Sequence, residues 1–182
     1  ELEGITDSLV DEIQSQKMLV SAENGTLQTQ ANLIVPGQIV EEIIAQFAHD
    51  EIARDNQVVT APGSETFGFV ADAAILRRVL TNALKNALEA SPAGATVSVG
   101  FHREEANAVF WVRNPGQVPP EVRSQLFRRY FSTKGENRGL GTYSMKLLTE
   151  EYLKGRVSFE SSPGEGTTFR VSLPLEARRA QR

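Results

Sequence analysis

The order of patterns along the chain predicts an α/β fold, a two-layer α/β sandwich in which helices cover one face of a mixed sheet. Three observations carry that expectation. From Gly37 onward helix-like and strand-like segments alternate, strand-like segments in the second half are joined by turns short enough for hairpins, and one long apolar-striped helix sits near the middle. Hairpins make antiparallel pairs and intervening helices permit parallel ones, so both are expected in one sheet. A chain of 182 residues has room for one ordinary domain and a short appendage. With 40% apolar and 23% charged residues, neither a disordered nor a fibrous chain fits.

Taken in order, Leu2, Ile5, Leu9, Ile13 and Val20 form a helical seam, with Gln16 at the missing step. Asn24-Gly25 suits a left-handed cap at its end, and Thr26 to Asn32 reads as a linker. Isolated helices are marginal in water, so this one needs a partner, either a second copy of the chain or the main domain. Gly37 to Asn56 is helix-like, with Ile39, Ile43 and Phe47 facing inward. Gln57 to Thr60 and Thr66 to Val70 read as strands around Ala-Pro-Gly-Ser. Ala71 to Ala90 is the strongest helix, stopped by Ser91-Pro92 and Gly94. Thr96 to Arg103 and Asn107 to Arg113 form a hairpin, with Val97, Val99 and Phe101 alternating. A Pro- and Gly-rich segment precedes a helix over Thr142 to Leu153, and strands Gly155 to Ser161 and Thr167 to Leu173 flank Ser-Pro-Gly-Glu-Gly. These readings divide the chain into residues 1–30 (helix and linker), 37–175 (main domain) and 176–182 (a basic tail).

The formal charge of −4 supplies no excess of cations for a phosphate backbone, which argues against nucleic acid as a partner. With no cysteine there is no disulfide framework, and no run of about 18 apolar residues reads as a membrane span, so a reducing, cytoplasmic setting is expected. The sequence opens on Glu1 rather than Met, which suggests a piece of a longer protein, with any membrane segment outside it.

On the central helix Asn82, Asn86 and Glu89 fall at i, i+4 and i+7, beside a face formed by Leu76, Leu80, Ala83 and Ala87. Asn is a mediocre helix former, because its amide competes for backbone hydrogen bonds. Two of them one turn apart either bond a neighbouring loop or offer an amide oxygen to Mg²⁺, which favours hard oxygen ligands. Three glycine clusters follow: Asn114-Pro115-Gly116, then Ser132-Thr133-Lys134-Gly135 through Arg138-Gly139-Leu140-Gly141-Thr142, and Gly164-Glu165-Gly166-Thr167. The second precedes a helix, so its backbone N–H groups suit anionic phosphates. The P-loop pattern, the strand-first dinucleotide fingerprint and the eukaryotic-type kinase signatures are missing.

In order and spacing, these clusters over roughly Gly37 to Leu175 resemble the ATP-binding catalytic domain of sensor histidine kinases, within the gyrase, Hsp90, histidine kinase and MutL superfamily. The resemblance implies a Bergerat-type sandwich, with the first helix as the end of a dimerisation and phosphoacceptor hairpin. Asn82-Ala-Leu-Lys85-Asn86-Ala-Leu-Glu-Ala is similar to the family's N box, which implies that Asn86 binds Mg²⁺. Arg113-Asn114-Pro115-Gly116 stands in the first glycine box, and Leu126-Phe127-Arg128-Arg129-Tyr130-Phe131 resembles the F box. Arg138-Gly139-Leu140-Gly141 resembles the second glycine box and Gly164-Glu165-Gly166-Thr167 the last. By resemblance, ATP is expected against Asn82, Lys85, Asn86, Asn114, Gly116, Phe131, Ser132, Thr133, Lys134, Arg138, Gly139, Leu140, Gly141, Thr142 and Thr167.

The first glycine box of the family opens with Asp, which accepts from the adenine amino group, whereas the matching residue here is Asn114. Exchanging a charged acceptor for a neutral one is expected to weaken adenine binding by roughly tenfold. The segment between Phe131 and Gly139 is short for a nucleotide lid and is expected to leave the triphosphate exposed. Asn82 stands where the superfamily's ATP hydrolases carry a water-activating Glu, and an amide cannot accept that proton. A histidine kinase needs no base here, since the nucleophile is an imidazole on the hairpin. Lys134 and Arg138 are the candidate cations for the phosphates.

Of the two histidines, His49 precedes an acidic pair but lies after the linker, so the acceptor is expected upstream of Glu1 and the fragment supplies no catalytic residue of its own. His102 reads as a surface or edge residue, the Asn24-Gly25-Thr26 sequon as accidental, and Trp111 as core rather than a base-stacking platform. The leading expectation is an ATP-dependent protein histidine kinase, using ATP and Mg²⁺. Its expected partners are its own phosphoacceptor hairpin in a homodimer and a response regulator receiver domain. An anti-sigma-type protein serine kinase and a non-catalytic nucleotide-sensing or dimerisation scaffold remain as alternatives.

Overall fold

The computed structural model describes residues 2–48, 50–62, 66–129 and 140–175. A helix α1 (Leu2–Glu23) leads into strand β1 (Asn32–Ile34), helix α2 (Pro36–Phe47), strands β2 (Gln57–Thr60) and β3 (Phe69–Ala71), and the central helix α3 (Ala73–Glu89). Strands β4 (Thr96–Glu104) and β5 (Asn107–Asn114), helix α4 (Gly141–Leu147), and strands β6 (Arg156–Ser162) and β7 (Gly166–Pro174) complete the chain. The order β2-β4-β5-β7-β6 makes a five-stranded sheet in which β2 and β4 are parallel and the other pairs antiparallel. That is the mixed sheet the sequence predicts. A separate antiparallel ribbon joins β1 and β3.

Strand alternation decides which side chains face the helices. Val97, Val99 and Phe101 of β4, Ala108, Phe110 and Val112 of β5, and Phe169, Val171 and Leu173 of β7 are buried in one core. Against them lie Ile39, Val40, Ile43 and Phe47 of α2 and the Ile75, Leu76, Val79, Leu80, Ala83, Leu84, Ala87, Leu88 stripe of α3. A fully buried side chain of this size contributes about 1.5–3 kcal/mol, so the interface between layers is the main source of stability. Asp72 caps α3 by accepting from Ile75 N at 3.0 Å, and its other oxygen accepts from Gln30 N at 2.7 Å, fastening the linker to the helix start.

Several boundaries differ from expectation for local reasons. The first domain helix stops at Phe47 because Asp50 accepts from Ile52 N and starts a separate 3₁₀ turn, Glu51–Ala53. Asn32 belongs to β1 rather than to a linker, and β3 begins at Phe69 rather than Thr66. The helix α4 gives way to a π-helical turn over Leu148–Tyr152. Trp111 is not in the helix-covered core: odd positions of β5 face outward, and its indole lies over Gly100, where a Cβ would come within 2.2 Å of the ring. Beside it, half-buried His102 lines the same outer face with Arg113 and Arg170, and its strand β4 is internal to the sheet.

Gly25 takes the left-handed conformation expected of a helix cap, at φ 68°. In α1, Ile13 and Val20 are 53% and 54% exposed, while Leu19 and Ala22 are buried. The expected seam thus stays open over those two residues, and a different face meets the main domain. There Tyr152 donates its hydroxyl to Ala22 O at 2.7 Å, and Arg129 pairs with Glu23 at 2.9 Å.

Candidate functional site

The alternation that buries Ala108, Phe110 and Val112 continues to Asn114, the last residue of β5, and so sends its amide into the layer between sheet and helices. Asn114 is 2% exposed, and neither its Oδ1 nor its Nδ2 has a hydrogen-bond partner. Leaving a buried polar group unpaired costs about 1–3 kcal/mol, so such a group calls for a ligand or water. Its cross-strand neighbour Thr167 is equally buried.

Thr167 donates to Gly116 O at 2.7 Å and shares a 2.9 Å contact with Ser161 Oγ. With the Thr167 proton committed to the carbonyl, Ser161 donates to Thr167 and in turn accepts from Val118 N at 2.9 Å. Arg123 Nε donates to Val118 O at 3.1 Å. Side chains from β6, β7 and the 3₁₀ turn Pro120–Gln125 therefore hold the loop after β5 in place. Gly116 presses that loop against the end of α3: a Cβ there would lie 2.1 Å from Ala90 O and 2.7 Å from Asn114 Nδ2. Only glycine permits the approach. Ser161 was not singled out by sequence, since its register with Thr167 exists only once β6 and β7 pair.

From α3 come Asn82, 4% exposed with an unpaired Nδ2, and, one turn on, half-buried Asn86 and then half-buried Glu89. The one-turn spacing thus gives a gradient from buried to half-buried. Asn86 Nδ2 meets Met145 Sδ at 3.9 Å, a weak contact, and Gly141 at the start of α4 passes beside the same amide, a Cβ there being 3.7 Å away. Lys85 is exposed on α3, and Leu140 is half-buried just before α4. Thr142 is buried and donates its hydroxyl to Leu126 O, tying α4 to the segment before it, whose Phe127 ring packs 5.8 Å from Phe159.

The structure therefore brings together Asn114, Gly116 and Thr167 at one end, Asn86 and Gly141 at the other, with Gly116 against the end of α3 joining the two. Phe131, Ser132, Thr133, Lys134, Arg138 and Gly139 lie outside the described residues, as do His49 and the 176–182 tail. Among the described residues no group of three or more His, Asp or Glu side chains is placed to hold a metal ion. A cation here would depend on an amide oxygen, water and a bound anion, the coordination that suits Mg²⁺. No helix among the described residues is long and apolar enough to cross a membrane.

Comparison with known proteins bears on the family and the fold. The chain is similar to the sensor histidine kinase CusS of Escherichia coli, 29% identical over 186 residues that cover 96% of this chain and 38% of the relative. In fold it resembles full-length ShkA, solved in complex with AMPPNP (TM-score 0.80, 19% identity, 96% of this chain and 37% of that one). It also resembles the histidine kinase ThkA in complex with the response regulator TrrA (TM-score 0.72, 17% identity, 96% and 52%). The chain spans 24% to 38% of the length of the first curated relatives it matches. Residues 71–177, from β3 to just past β7, match the family model for the histidine kinase-, DNA gyrase B- and HSP90-like ATPases. With its buried amide, glycine loop and paired asparagines inside that match, the chain belongs to this family.

Proposed function

We propose that this chain is the ATP-binding part of a two-component sensor histidine kinase, which passes the γ-phosphoryl of ATP to a histidine upstream of Glu1 and thence to a response regulator. The observation that carries it is the buried, unpartnered amide of Asn114, set beside Thr167 and joined through Gly116 to the Asn82–Asn86 helix. The base would sit against Asn114 and Thr167, and the phosphates near Gly141. Asn86 Oδ1 would hold Mg²⁺, a role left open to it because the contact with Met145 is weak and uses only Nδ2. When bound, Mg²⁺ neutralises phosphate charge. The chain's residues bind and orient: catalysis here is positioning, and no described side chain is assigned as a base.

The exposed apolar residues of α1 support a second copy of the chain as partner and favour the histidine kinase over a serine kinase, which needs no such helix. ShkA with AMPPNP and ThkA with TrrA support a nucleotide and a receiver domain as ligands. A cytoplasmic setting is part of the same proposal.

Calorimetric titration with AMPPNP and Mg²⁺ tests it. Saturable binding is expected, and no binding at millimolar nucleotide would favour a non-catalytic scaffold. Labelled ATP should leave no stable phosphate on the chain; label lost on replacing His49 would overturn the placement of the acceptor, and acid-stable phosphate on a protein substrate would indicate hydroxyl chemistry.

A further inference from the structure

We infer that the base pocket is permissive at the purine 6-position: it accepts a 6-oxopurine triphosphate, the class of GTP and ITP, alongside ATP. The inference rests on the nucleotide reading above and on the state of one side chain.

Asn114 is 2% exposed, and no protein group hydrogen-bonds either end of its amide. Thr167, the nearest polar neighbour across the ladder, spends its proton on Gly116 O. Among the described residues no hydrogen bond therefore holds the amide in one of its two orientations, which differ by a half-turn about the last side-chain bond.

That freedom matters because the two purine classes present opposite patterns. Adenine offers a donor at the 6-amino group and an acceptor at N1. A 6-oxopurine offers an acceptor at O6 and a donor at N1–H. An amide carries one acceptor and one donor side by side, so one orientation complements adenine and the flipped one complements the 6-oxopurine. An ionised carboxylate at this position has only acceptors and sets an oxygen against O6. A site with a fixed hydrogen-bonding pattern rejects mismatched ligands because buried polar groups are left unpaired, and a rotatable, unanchored amide removes that penalty.

The test compares ATP with ITP, which differs from it only at the 6-position and N1 and adds no 2-amino group. Calorimetry with Mg²⁺ on the 182-residue chain should give dissociation constants within about tenfold of each other, a difference of at most about 1.4 kcal/mol. Asn114→Asp should then weaken ITP relative to ATP by at least about tenfold. ITP bound more than tenfold more weakly than ATP by the unsubstituted chain would overturn the inference and leave the nucleotide site standing, as would an unchanged ratio in a folded Asn114→Asp variant. Should that variant fail to fold, the ratio in the unsubstituted chain decides alone. Binding of neither nucleotide would overturn the inference together with the reading it rests on.

Discussion

Replacing Gly116 by Ala puts a methyl carbon 2.1 Å from Ala90 O, more than 1 Å inside ordinary contact, and 2.7 Å from Asn114 Nδ2. The first neighbour is backbone at the end of α3 and cannot swing away, so the loop must move and carry Gly116 O off Thr167. Overpacking of this kind costs about 1–3 kcal/mol. For a chain of this size each kcal/mol lowers the melting temperature by about 2–4 °C, giving a fall of about 2–12 °C. The displaced loop also disturbs Asn114, so the stabilisation that ligand lends the folded chain, about 2.7 kcal/mol at a hundredfold excess over Kd, should largely vanish. Thermal unfolding with and without Mg²⁺ and AMPPNP measures both effects. Gly164 is the control: at φ 82° with nothing within 4 Å of a Cβ, Gly164→Ala costs only backbone strain of about 1–2 kcal/mol and should keep the ligand shift. A Gly116→Ala variant as stable as its parent, with the ligand shift intact, would refute the reasoning.

Thr167→Val keeps the shape but strips the donor from Gly116 O and the acceptor from Ser161, and should cost about 1–3 kcal/mol in chemical denaturation with a further loss of nucleotide affinity. Tyr152→Phe removes the hydroxyl that bonds Ala22 O and should raise amide hydrogen exchange at the end of α1, while nucleotide affinity stays within about twofold. Glu23→Ala should change stability by less than about 1 kcal/mol, since the partly exposed pair with Arg129 is screened.

The fold was legible where periodicity is long. The α3 stripe and the alternation in β4 each repeat often enough to fix element, face and approximate ends, and α3 falls inside the expected 71–90. Three-residue β1 carries no periodicity at all, and its pairing with β3 is a tertiary fact. Trp111 was misplaced because an aromatic residue beside Phe110 signals a strand but not which side faces in; Gly100 across the ladder makes room for the indole outside. In the site, residue type and spacing singled out Asn82, Asn86, Asn114, Gly116 and Thr167. What they could not supply is the network through Ser161 and Arg123, built from common residues whose meeting depends on strand register. The unanchored amide of Asn114 is likewise a property of its surroundings, invisible in the letter Asn.

A crystal structure of this chain with Mg²⁺ and AMPPNP confronts the central claim most directly. The account predicts the purine edge on the Asn114 amide beside Thr167 and the cation on Asn86 Oδ1. Nucleotide bound elsewhere, or the Asn114 amide still unpaired and Asn86 Oδ1 without a cation at millimolar ligand in the crystal, would contradict it.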